Sequence, residues 1–290
     1  MRIEYTNKAG RSIQLAAPVN PASTPYWVTE LRGLHGVEVD NRGLMLLSGD
    51  GEAWLGSLSK ARVIRVSGTI SGAETVRERM AMLETMVPCE ISRLTVTRDG
   101  MTRGIDCFVD KAPQFDPPRG DRFTFELWCP DPYWQDAVGD QHTDFKQWTS
   151  EFEFPVSIDG DIGFIWGELL AKDVIQVINH GQVASGFVWT ARILDPVSWV
   201  RLTLIESQEK IEIYTALNAG DTVRVSTHSR EKWVRIWRAS GGIENAMQYI
   251  TPDFSFFKLR AGVNTVKVET SEGDAAQEGE IRYKNRYLGI

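Results

Sequence analysis

The sequence predicts an all-β protein, built as a sandwich or barrel, with a single helix in its N-terminal half. Three observations point there. Apolar and polar residues alternate with a period of two through most of the chain. Gly, Asn and Asp turns cut that alternation into short runs. Helical spacing is well marked in one segment, "SGAETVRERMAMLETMV".

Taken in order, the chain opens on "MRIEYTNKAG", which lacks the apolar core of a signal peptide. The stretch "GLMLLSGDGEAWLGSLS" follows as a long hairpin around a Gly-Asp-Gly turn. It carries Leu44, Leu46, Leu47, Trp54, Leu55 and Leu58, apolar on both arms. Such a hairpin needs cover, from the chain's own helix or from a neighbouring subunit. "RVIRVSGTI" then alternates Ile64 and Val66 against Arg65 and Ser67. The helix is expected at about 72–87. Ser71 and Glu74 form a capping box, Val76, Met80, Leu83 and Val87 recur at helical spacing, and Pro88 marks the end. Two more strands place Ile105, Cys107 and Val109 on one face, and Phe123, Phe125, Leu127 and Cys129 on another.

"CPDPYW" ends that last strand. Proline has no N–H to give a sheet ladder, so Pro130 and Pro132 stop it. Tyr133 and Trp134 then fold back as an aromatic plug that closes a first domain, residues 1–140. The polar, aperiodic "QDAVGDQHTDFKQW" reads as the boundary, and a second β domain occupies 148–290. Its runs "FVWTARIL", "WVRLTLIE", "EKIEIYT", "TVRVSTH", "KWVRIWR" and "NTVKVET" are short and turn-bounded. "LNAGDTVRVST" and "LRAGVNTVKVET" echo one another, as one turn device used twice.

Chemistry is thin. The chain has 290 residues and a net charge of −7 without basic clusters, which argues against a nucleic-acid-binding surface. No apolar run approaches the ~20 residues of a membrane span. His35, His142, His180 and His228 sit at turns without metal-type spacing. Cys89, Cys107 and Cys129 read as buried thiols of a protein assembled in a reducing cytoplasm. "DGDIG" at 159–163 lacks the ligand spacing of a calcium loop. No catalytic motif, metal site or cofactor fingerprint occurs. Trp233 and Trp237 share a strand face with Arg235. Exposed, they stack on sugar rings or dock a partner; buried, they are core or subunit contact.

The order of these features is similar to that of the distal tail protein (Dit) family of bacteriophages. A β domain has one helix after "VSGTISG", an Arg-rich helix start (Arg77, Arg79) and a "DPYW" close. A second β domain brings "VINHG", "LNAGDTVRV" and "FFKLRAGVNTVKV". The resemblance implies a hexameric ring formed by the first domain and an outward galectin-like jelly-roll formed by the second. It implies a structural hub in the virion tail tip, assembled in the bacterial cytoplasm. The ring would join the tail tube protein to tail-associated lysin or fibre proteins, with DNA only as passing cargo and no membrane insertion. A C6 ring docks one patch on a different patch next door, and residues 44 to 58 are the expected patch. Three readings compete. A carbohydrate-binding adhesin is favoured by ten tryptophans. A glycan hydrolase would need facing carboxylates across a groove. A tail tube relative lacks the second domain.

Overall fold

In a computed structural model, the structure describes residues 1–16, 24–45, 50–71, 75–116, 121–137, 139–149, 168–171, 174–273 and 276–290. The chain divides into two units, Met1–Gly139 with Arg286–Ile290, and Asp140–Asn285.

The first unit contains β1 (Arg2–Thr6), β2 (Ser12–Ala16), β3 (Tyr26–Arg32), β4 (Val39–Met45), β5 (Glu52–Ser59) and β6 (Arg62–Ile70). Then come α1 (Thr75–Thr85), β7 (Ser92–Arg98), β8 (Met101–Phe115), β9 (Arg122–Cys129) and β10 (Trp134–Asp136). The second unit holds β11 (Gln141–Asp144), β12 (Lys146–Thr149), β13 (Glu168–Ala171), β14 (Val174–Asn179), β15 (Phe187–Ile193) and β16 (Val197–Leu204). It continues with β17 (Glu209–Leu217), β18 (Thr222–His228), β19 (Glu231–Trp237), β20 (Ile243–Asn245), β21 (Gly262–Thr270) and β22 (Gln277–Tyr283). The last strand, β23 (Arg286–Tyr287), belongs to the first unit again.

The first unit's main sheet runs β23-β10-β8-β7-β1-β2-β3-β6-β9, and β9 also pairs with β8. That second pairing closes seven strands into a barrel, which removes the sheet edges. The 15-residue β8 makes closure possible by reaching β9 as well as β7, and its first half also pairs with β10. Its first half pairs with β7, from Ser92↔Cys107 to Arg98↔Met101. Its second half reaches β9, from Phe108↔Trp128 to Phe115↔Phe123, through two register shifts. The period-two residues fill the interior: Ile64, Val66, Ile105, Cys107, Phe123, Phe125, Leu127 and Cys129 are all buried. Phe123 and Phe125 stack with centroids 6.0 Å apart.

The second unit is a sandwich. A six-stranded sheet, β11-β22-β15-β18-β19-β20, and a four-stranded sheet, β14-β21-β16-β17, share one core. Trp189, Val225 and Val234 enter it from one sheet, and Val200, Leu202 and Val266 from the other. The echoed turn is visible in detail. Gly220 and Gly262 both take left-handed backbone, at φ 89° and 93°, where glycine alone carries no steric cost. Asp221 then accepts the Asn218 amide at 3.0 Å, and Asn264 accepts the Arg260 amide at 2.7 Å. Val263, the one extra residue in the second copy, shifts the acceptor from i+3 to i+4.

The expected boundaries differ from the observed units at both ends of the second one. Residues 140 onward are already part of it, because β11 pairs with β22 and Phe145 is buried in the sandwich core. A four-residue strand is too short to display a period. At the other end, residues 286–290 return to the first unit. Cys89 is exposed rather than buried, at φ 66° just beyond the helix. Glu74 of the expected capping box and the 159–163 turn lie outside the described residues. Ser71 donates both its amide and its hydroxyl to the Pro25 carbonyl.

Candidate functional site

Strands β4 and β5 form a two-stranded ribbon that joins neither main sheet. They pair from Val39↔Ser59 to Met45↔Glu52. A bulge falls at Gly43, where a β-carbon would meet the Glu52 carboxylate at 2.2 Å. The base of the ribbon is anchored: Lys60 donates to Glu38 at 2.7 Å, and the Ser59 and Tyr133 hydroxyls lie 2.6 Å apart. Beyond that base the blades are bare. Leu44, Met45, Trp54, Leu55 and Leu58 are between 56 and 77 % exposed. The Trp54 indole is held upright by donating to Ser57 Oγ at 3.1 Å, and Ser57 donates to Asn41 Oδ1. Leu46 and Leu47 lie outside the described residues. The chain's own helix does not supply cover for these side chains.

Helix α1 itself presents a second bare face. Its buried contacts come from Met82 and Thr85, followed by Met86 just past its end. Asn7 Nδ2 closes that end by donating to the Thr85 carbonyl, and Tyr26 OH donates to the Glu78 carbonyl and carboxylate at 2.9 Å. Burial, with Glu78 alongside, raises the Tyr26 phenol well above its ordinary range. The regular stripe of Val76, Met80, Leu83 and Val87 is exposed. The periodicity identified the helix and the side that this chain leaves uncovered.

At the closing turn, Trp134 is fully buried and donates its indole N–H to the Leu34 carbonyl at 3.0 Å. Pro132 is buried, while Pro130 and Tyr133 are half-buried. Sequence reasoning missed the organising residue here, Arg62. It is buried, sits over the Trp134 ring, and donates to the carbonyls of Pro132, Gly33 and Leu288 at 2.6–2.8 Å. Burial lowers its pKa, and its donors are met by carbonyl oxygens. The other unforeseen part is β23, whose Tyr287 pairs with Trp134. Arg286 meets Asp131 at 2.5 Å and lies over the Tyr133 ring. A two-residue strand carries no periodic signal by which it could have been found.

In the second unit, Val234 and Ile236 point into the core, which turns Trp233, Arg235 and Trp237 to the outer face of the six-stranded sheet. Both indoles are half-buried, and they meet edge to face at 6.2 Å. The Arg235 guanidinium lies over Trp233 and that of Arg224 over Trp237, each at 4.9 Å. The β18–β19 register sets Arg224 directly opposite Arg235. Arg224 was legible only through that pairing. His228 and Glu231 close the same ribbon. Among the described residues, no group of His, Cys, Asp and Glu is arranged to hold a metal ion. No helix there is long and apolar enough to cross a membrane.

Residues 180–287 match the family described as siphovirus-type tail component, C-terminal domain. The match falls almost entirely within the second unit of this chain. The fold extends the likeness over the whole length. The crystal structure of SPP1 Dit (gp 19.1), described as a paradigm of hub adsorption apparatus in phages infecting Gram-positive bacteria, superposes with a TM-score of 0.66. It is 14% identical and covers 99% of each chain. A chain of the phage p2 baseplate in its activated conformation with Sr gives a TM-score of 0.46 at 10% identity, over 98% of this chain and 97% of that one. The corresponding structure with Ca gives 0.47 at 10% identity over the full length of both. No curated protein matches the chain. By the match over residues 180–287 and by its fold, the chain is similar to structural tail proteins of phages.

Proposed function

We propose that this chain is the hub of a phage tail tip. Six copies form a ring through the first unit, joining the distal end of the tail tube to lysin, fibre or receptor-binding proteins. DNA passes through its lumen. One observation carries the reading: the first unit has two separate bare apolar faces, the β4–β5 ribbon and the α1 stripe. A closed ring needs two different, complementary patches on every copy. Docking the ribbon of one copy on the helix stripe of the next would use both. Each large side chain so covered contributes about 1.5–3 kcal/mol. The second unit, a galectin-like sandwich in this reading, is a docking platform on the outside. The likeness in fold to SPP1 Dit, over 99% of each chain, supports the same assignment.

The test is size. Light scattering on Trp54→Asp and Leu58→Asp should report monomers where the native chain reports rings, with unchanged circular dichroism. Val76→Asp, on the opposite patch, should do the same. Rings that survive all three changes exclude these faces as the interface. A carbohydrate-binding adhesin is the second reading, favoured by the outward indoles of Trp233 and Trp237; binding of cell-wall polysaccharide by the native chain would support it.

A further inference from the structure

The outer face of the six-stranded sheet is electrostatically divided. On one side its charges are internally matched: Arg192 pairs with Glu278 at 3.3 Å and Arg282 with Glu280 at 2.8 Å. On the other side two arginines stand directly opposite each other, Arg224 on β18 and Arg235 on β19. Neither has an ion pair among the described residues; each rests on an indole. Like charges facing each other across two strands are destabilising, and an edge-on carboxylate could have been placed beside them as it was beside Arg192. The next strand adds Ile243, exposed and directly opposite Trp237. Guanidinium forks flanked by half-exposed aromatic and aliphatic surface have the composition of a protein-binding hot spot.

We infer that Arg224, Arg235, Trp233, Trp237 and Ile243 form a docking site for an acidic segment of a partner protein, whose carboxylates bridge the two opposed guanidiniums while its apolar side chains lie on the indoles. The charge argument selects this occupant. A neutral glycan would use the rings and leave the paired arginines unanswered, and the chain's net charge of −7 makes this cationic pair a local exception that a partner can find. The site lies wholly within the second unit and does not depend on ring formation.

The experiment uses the full chain and a fluorescein-labelled dodecapeptide alternating Glu and Leu, followed by anisotropy. Saturable binding is expected. It should weaken with added salt, fall at least tenfold in the double variant Arg224→Gln/Arg235→Gln, and persist in Trp54→Asp, which separates it from the fate of the ring. A Lys–Leu peptide should not bind. Stability gives an independent readout. Arg224→Glu replaces the repulsion with a cross-strand pair, so its Tm should equal or exceed that of the native chain while binding is lost. The inference is overturned by no binding at millimolar peptide, by equal binding in the double variant, or by equal binding of the Lys–Leu peptide. It is also overturned if a neutral glucan oligosaccharide binds and the double variant loses that binding, which would give the face to sugars. A lowered Tm in Arg224→Glu would make the arginines structural supports and end the proposal.

Discussion

At the scale of single residues, two positions show how local chemistry is fixed. Asp221 is buried in the first copy of the echoed turn. Burial pushes its carboxyl up, but the amides of Ala239 (2.8 Å) and Asn218 (3.0 Å) and the Arg238 guanidinium (2.9 Å) outweigh this and hold it below the ordinary 3.8. A carboxyl depressed on folding adds stability that is complete above its unfolded value and is lost as pH falls through the lower folded one. Asp221→Asn should therefore cost about 2–3 kcal/mol at neutral pH, since its amide cannot accept all three donors. The gap between variant and native melting temperatures should narrow as the pH drops below about 4. A gap independent of pH would mean the carboxylate's charge is not what matters. Cys89 is the second position. Its left-handed φ of 66° disfavours branched side chains. Cys89→Val should lose roughly 1–2 kcal/mol, and Cys89→Gly should be neutral or slightly stabilising, by thermal melts. Cys89 should also be the one thiol that reacts with Ellman's reagent in the folded chain. A hydrogen bond to Cys129 and burial both raise the Cys107 thiol, so Cys107 and Cys129 should react only after denaturation.

At the scale of elements, the barrel's closing turn depends on the last five residues. Deleting residues 286–290 removes the Tyr287 pairing with Trp134, the Arg286–Asp131 contact and one of the three carbonyls that satisfy Arg62. A buried guanidinium left short of acceptors is expensive, and a loss of about 2–4 kcal/mol is expected. Hydrogen exchange should show faster exchange at β10 and at the start of β6, with β15 and β16 unchanged. Uniform protection after truncation would show that the return strand is ornamental. This same region marks where the sequence was readable and where it was not. The alternation in "RVIRVSGTI" and "RFTFELWC" placed Ile64, Val66, Phe125 and Leu127 inside, because a barrel strand has one dry face. The prolines marked the stop after Cys129. The return of Tyr287 to Trp134 spans most of the chain in two residues and leaves no pattern. Closure through β8 was equally hidden, since the alternation of Ile105, Cys107 and Val109 covers only the middle of that strand. Helix α1 was found by its stripe, yet the stripe faces outward. Periodicity locates a face that needs covering and does not say which chain covers it.

At the scale of the whole molecule, the two units differ in what they leave exposed. The first is a closed barrel with apolar faces left bare on a ribbon and a helix; the second is a sandwich whose outward sheet pairs arginine with tryptophan. Both patterns are costly in an isolated soluble chain and make sense in an assembly. The central claim is that the first unit closes a sixfold ring, and native mass spectrometry of the full chain tests it most directly. The account predicts a dominant species of six 32.7 kDa chains, reduced to single chains by Trp54→Asp. A monomer at every concentration up to the solubility limit, or a hexamer that Trp54→Asp and Val76→Asp leave intact, would contradict it.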